Sequence, residues 1–104
     1  MNTEELQVAA FGIILSSGNA RTTVHEAFSA MKEGNYEQAS QLLEQANEEL
    51  LEAHHAQTEL LQKYASGVEI TIEIIMVHAQ DHLMTTVTLR EVALEMLELY
   101  KKIN

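Results

Sequence analysis

Not one proline interrupts the 104 residues of this chain, and its apolar residues recur at alternating steps of four and three. One unbroken series runs Leu6, Ala10, Ile13, Ser17, Ala20, Val24, Ala27, Met31. A second runs Tyr36, Ala39, Leu43, Ala46, Leu50, Ala53, Gln57, Leu60, Tyr64. Steps that average three and a half residues keep one stripe of a helix turned toward its neighbours, which then cross at about 20°. Two breaks, Gly34-Asn35 and Ser66-Gly67, divide the chain into three segments. Glu4, Glu5, Glu37 and Glu69 stand in the opening turns, and Lys32, Lys63, Lys101 and Lys102 in the closing ones. That is the placement a helix dipole favours. Asn35 with Gln38, and Ser66 with Glu69, have the spacing of capping boxes. Short connections make neighbouring helices antiparallel. The expectation is a single all-α domain over residues 1–104, an antiparallel up-down-up three-helix bundle with helices over residues 3–33, 36–65 and 68–102. Gly18-Asn19 marks a kink or a close approach of backbones inside the first helix, which is expected to stay continuous.

Composition narrows what such a bundle can do. Six Lys and Arg face sixteen Asp and Glu, a formal charge of −10, and fifteen of the acids are Glu. Glu is a good helix former, whereas Asp competes for the backbone, so the bias itself reads as helix. The one Asp is Asp81. A chain this acidic is a poor partner for nucleic acid or an anionic membrane, which are bound by clustered Lys and Arg. With no Cys there is no disulfide framework, thiolate metal site or cysteine nucleophile. The longest apolar run is four residues, far short of the ~20 that cross a bilayer. The opening Met1-Asn2-Thr3-Glu4-Glu5 lacks the basic region of a signal peptide. A soluble, cytoplasmic protein is the expectation.

The third segment is apolar on more than one side. Six of the eight residues from Ile70 to Val77 are apolar. One seam runs Ile70, Ile74, Val77, Asp81, Met84, and another runs Ile75, His78, His82, Thr85, Leu89, Val92, Met96. A helix with two apolar surfaces has two things to pack against. In a bundle this small the second is most simply another copy of the chain, so a homo-oligomer is expected.

Candidate chemistry rests on five histidines, His25, His54, His55, His78 and His82. His25 reads as a surface or edge residue beside the first seam. Glu52-Ala53-His54-His55 contains one Glu-x-x-His, while a di-iron bundle needs two. The stretch Gly34-Asn35-Tyr36-Glu37-Gln38-Ala39 has the look of a tetratricopeptide helix pair, but a solenoid needs three or more repeats and one is present. His78 and His82, four apart, share a helix face. A zinc protease would need Glu directly after the first His, where Ala79 stands. What remains is histidine as nucleophile. A neutral imidazole can accept a phosphoryl group on its free nitrogen, and such transfer asks for positioning and charge relief rather than a bound cofactor. His82, one turn on, can donate to phosphoryl oxygens. So can the Gln80 amide, reaching across to a neighbouring subunit. Two other readings use the same residues: a noncatalytic helical adaptor with interface histidines, and a zinc-binding bundle.

Over essentially its whole length the chain resembles the enzyme IIA component of the bacterial sugar phosphotransferase system, lactose/cellobiose (diacetylchitobiose) family. The specific match is Val77-His78-Ala79-Gln80-Asp81-His82-Leu83-Met84-Thr85. Gly18-Asn19-Ala20-Arg21, Glu52-Ala53-His54 with Gln57-Thr58, and Leu99-Tyr100-Lys101 support it. One mild departure is Thr22, where the family commonly has Ser. The resemblance implies a three-helix bundle assembling as a homotrimer. It implies that His78 takes a phosphoryl group on its tele nitrogen from the phosphocarrier HPr. From His78 the group would pass to a cysteine of the cognate IIB, and a membrane IIC component would take up a β-linked disaccharide. His82 and Gln80 match residues lining the phosphorylation pocket. Asp81 matches an aspartate near the trimer axis that binds a divalent cation, taken as Mg2+. Three such carboxylates amid Ile74, Val77 and Met84 need a cation or protons for balance, and hard oxygens suit magnesium better than zinc. The acidic surface suits basic faces on donor and acceptor. Ala79, rather than Gly, leans toward a cellobiose- or chitobiose-like member.

Overall fold

A computed structural model describes residues 1–104. Three helices of 30 residues each, α1 (Thr3–Lys32), α2 (Tyr36–Ala65) and α3 (Ile74–Ile103), account for nearly all of it. Each packs on both others in a rod of 53 × 20 × 18 Å. Cross-links between side chains and backbone give the directions. Ser16 and Thr23 of α1 donate to Glu52 and Glu49 of α2, so the two helices run in opposite senses. Gln57 and Leu43 of α2 meet Gln80 and Arg90 of α3, again in opposite senses. The Met1 ammonium donates to the Glu69 carbonyl, and Gly18 lies against His82, so α1 and α3 run alongside each other.

Both breaks are glycine-ended helix termini. Gly34 and Gly67 have φ of 81° and 98°, the left-handed region that a side chain resists. Around Gly34, the amides of Gly34 and Asn35 return to the carbonyls of Met31 and Ala30. Around Gly67, the amides of Gly67 and Val68 return to Tyr64 and Lys63. These paired bonds satisfy carbonyls that a helix end leaves open. A Gly34→Ala chain is expected to lose roughly 0.5–1 kcal/mol, because left-handed strain of about 1–2 kcal/mol exceeds the gain from a stiffer unfolded chain. A lower urea midpoint with unchanged slope is the check.

Neither expected capping box forms. Asn35 makes no side-chain cap, and Ser66 ends α2, its hydroxyl donating to the Lys63 carbonyl at 2.9 Å. The cap that does form is at the start of α1, where the Asn2 side chain accepts from the Glu5 amide at 2.8 Å. The third helix begins at Ile74, not at residue 68. Ile70-Thr71-Ile72 is a β-branched run whose side chains crowd a helical turn. It stays non-helical, with Ile70 tucked against the core and Ile72 exposed.

All eight residues of the first seam are buried. The second is buried from Ala39 to Ala53, half-buried at Tyr36, Gln57 and Leu60, and lost at Tyr64, which is 68 % exposed. On α3 neither expected seam is the one that faces the chain's own core. That stripe is Met76, Ala79, Leu83, Thr86, Ala93 and Leu97. The Ile74–Val77–Asp81–Met84 seam points outward, with Ile74 88 % exposed. The second expected seam lies between these two: Ile75, His82, Leu89 and Met96 are half-buried, and His78, Thr85 and Val92 are exposed.

Candidate functional site

The first three turns of α3 are held in register by Ala79 and Leu83, both fully buried. Their neighbours are therefore pinned to definite directions. His78 and His82 lie on the flank toward α1, with ring centroids 5.9 Å apart and planes at 85°. His78 is exposed and His82 half-buried. The His82 Nδ1 is buried and has no hydrogen-bond partner. Opposite its ring α1 passes at Gly18, where an added Cβ would stand 4.0 Å from His82 Cε1. The helix is continuous through Gly18, and the expected close approach of backbones is not found there, since the one neighbour within 4 Å of an added Cβ is the His82 side chain. The Thr86 hydroxyl donates to the His82 carbonyl at 2.7 Å, and the Thr85 hydroxyl to the Asp81 carbonyl at 2.7 Å. Each hydroxyl is tied back one turn within its own helix, as threonines in helices often are.

Gln80 does not share this pocket within one chain. Two residues on from His78 is a turn of about 200°, which carries Gln80 to the flank toward α2. Its side-chain oxygen accepts from Gln57 Nε2, and its own Nε2 lies 3.7 Å from Met76 Sδ. Asp81 stands between the two flanks on the outward stripe and is exposed. No group of three His, Cys, Asp or Glu side chains within the chain could hold a metal ion. A single carboxylate fits a divalent cation only if other copies bring theirs to the same point. Ser17, one step of the apolar seam by its spacing, has a fully buried and unpaired hydroxyl that the spacing does not reveal.

The arrangement offers an exposed imidazole nucleophile with a second imidazole one turn away, in a chain whose formal charge is −10. Residues 8–101 match the family described as the lactose/cellobiose-specific IIA subunit of the phosphotransferase system (PTS). The chain belongs to that family. Among curated relatives, the lichenan-specific phosphotransferase enzyme IIA component of Bacillus subtilis is 48 % identical over 97 % of this chain and 92 % of its own length. Among solved structures, the crystal structure of PtcA from S. mutans is 78 % identical with a TM-score of 0.96, covering 97 % of this chain and 99 % of that one. The IIA(Chitobiose) of Escherichia coli, solved in complex with HPr, is 35 % identical with a TM-score of 0.81, covering 94 % and 95 %. A PTS IIA subunit is a phosphotransfer protein of sugar uptake, and the exposed histidine on α3 is read in that light. No helix of this IIA chain is long and apolar enough to cross a membrane.

Proposed function

We propose that His78 is the phosphoryl carrier of this IIA subunit, loaded by phosphorylated HPr and discharged to the cysteine of a cognate IIB. The observation that carries the reading is the exposed imidazole of His78 beside His82, on a chain whose E. coli relative is solved with HPr. In the loading step the His78 Nε2 lone pair attacks phosphorus. A nitrogen–phosphorus bond forms as the bond to the donor histidine of HPr breaks, and that histidine keeps the electron pair. In the unloading step the IIB thiolate takes the same phosphorus and His78 regains its lone pair. With its Nδ1 buried, His82 offers Nε2 to the transferring oxygens, where a donor aimed at developing charge contributes most. Passage from HPr to IIB, and onward to a membrane IIC component, places the chain in the cytoplasm. The cargo is a β-linked disaccharide of the cellobiose, chitobiose or lactose type.

The outward stripe of Ile74, Val77 and Met84 supports a homotrimer, since a small soluble chain rarely leaves so much contiguous apolar surface open. Asp81 lies on that stripe, so three copies meeting there would bring three carboxylates together. Asp81 is the residue that would hold Mg2+, and the cation would supply charge balance on the axis, away from the His78 flank. The test is direct. Incubated with phosphorylated HPr, the protein gains an acid-labile phosphoryl group, which then passes to IIB. No gain in mass leaves the noncatalytic adaptor as the reading.

A further inference from the structure

Two buried side-chain polar atoms of this chain have no hydrogen-bond partner, the Ser17 hydroxyl and His82 Nδ1, and both lie where α1 passes α3. We infer that Ser17 is a positioning residue for His82, its hydroxyl donating to Nδ1 and so keeping the ring proton on Nε2. This rests on the reading of His82 as a donor to the transferring oxygens, and it names what makes that imidazole a donor.

Ser17 stands out first among the hydroxyls of the chain. A hydroxyl buried without a partner has lost its water and gained nothing in return. Within a helix the usual remedy is a bond back to the carbonyl four residues earlier. Thr22, Thr23, Ser29, Thr85 and Thr86 all take it. Ser17 is fully buried and does not. A donor left free by its own helix is available to another.

Place is the second argument. Gly18, the next residue, leaves room for the His82 ring, since an added Cβ there would stand 4.0 Å from Cε1, the carbon between the two ring nitrogens. Ser17 belongs to the same turn of α1 and faces the core, and Nδ1 is the ring nitrogen shut away from solvent. The Thr85 and Thr86 hydroxyls of α3 are already committed, to the carbonyls of Asp81 and His82. Ser17 and Nδ1 are not bonded to each other in the rotamers present. A buried donor and acceptor so placed are joined by a rotation of the short side chain or by one water between them.

The consequence is chemical. A neutral imidazole carries one N–H and one lone pair, and the bond made by one nitrogen decides what the other offers. With Nδ1 accepting from Ser17, Nε2 presents its N–H to the phosphoryl oxygens. With the proton on Nδ1 instead, Nε2 would present a lone pair to anionic oxygens and repel them.

The ring nitrogens of His82 are read by two-bond 1H–15N NMR of the whole protein, without HPr, at a pH where the imidazole is neutral. The expected wild-type spectrum has Nε2 protonated and Nδ1 at the upfield position of a lone pair that accepts a hydrogen bond. In Ser17→Ala the Nδ1 signal moves downfield as that bond is lost. Rapid-quench transfer from phosphorylated HPr slows about 10-fold in the same variant, inside the about 10²-fold limit set by losing the His82 donor. In a His82→Gln background Ser17→Ala has no further effect, because Ser17 acts through the ring. An Nδ1 signal unmoved by Ser17→Ala overturns the inference, and so does an equal slowing in both backgrounds. A His82→Gln chain that is loaded at the wild-type rate overturns the donor reading of His82, while the spectrum still decides whether Ser17 holds Nδ1.

Discussion

A His78→Gln chain is expected to take no phosphoryl group from phosphorylated HPr, while keeping its helix content and thermal midpoint. The two halves of that result have separate causes. His78 is exposed and lies outside the core cluster, with its ring at 85° to that of His82, so its replacement removes no core contact. Surface exchanges of this kind usually stay within about 0.5 kcal/mol. Chemistry is another matter, because Gln has no nitrogen lone pair able to form and then release a bond to phosphorus. The loss is therefore all-or-none: acid-labile phosphate, one per chain in the wild type, falls to background. His82→Gln should behave differently. Loading still reaches one per chain, but the rate falls by about 10²-fold, the scale of removing one donor aimed at developing charge. Rapid-quench transfer from HPr separates the two. A His82→Gln chain that cannot be labelled, beside a His78→Gln chain that can, would exchange the roles given to them.

What could be read ahead of the structure divides along a physical line. The first two helices were legible because their buried stripes are single and strictly spaced; Leu6 to Met31 is buried at every step. The third was not, because half of its buried stripe is small residues while the large Ile74, Val77 and Met84 point outward. Ile74, Val77 and Met84 outrank Ala79, Thr86 and Ala93 in hydrophobicity, yet the small residues face the core, where they let the helices come close. A period found in sequence gives a stripe but not what the stripe meets. The two expected capping boxes failed for a related reason. Spacing shows that Ser66 and Glu69 could cap a helix, but Gly67 at a φ of 98° turns the chain out of one helix before another can begin. The site was legible in part. The pairing of His78 with His82 follows from a four-residue step. That Gln80 is held by Gln57 on the far flank depends on where α2 runs, which nothing within the stretch from Val77 to Thr85 specifies.

Replacing Asp81 by Leu is expected to leave the proposed trimer intact and make it harder to dissociate. Along the outward stripe Asp81 is the one charged residue among Ile74, Val77 and Met84, and three copies would bring three like charges into an apolar centre. Exchanging buried charge for well-packed apolar side chains is commonly neutral or stabilising, by about 1–4 kcal/mol. Leu continues the stripe without a break, so the direction is toward stability. The chelator response gives the sharper reading. If a divalent cation balances the three carboxylates, EDTA lowers the thermal midpoint of the wild-type trimer, because a ligand bound only to the assembled state stabilises it by mass action. It leaves the Asp81→Leu midpoint unchanged, since neither the charge nor its counter-ion is there. Transfer to His78 persists in the variant, because the imidazole stands on the α1 flank and not on the stripe. An Asp81→Leu chain that sediments as a monomer would reverse the argument: the cation would then be a requirement for assembly and not a remedy for charge. Equal midpoints for the wild type with and without EDTA would show that no divalent cation holds the assembly together.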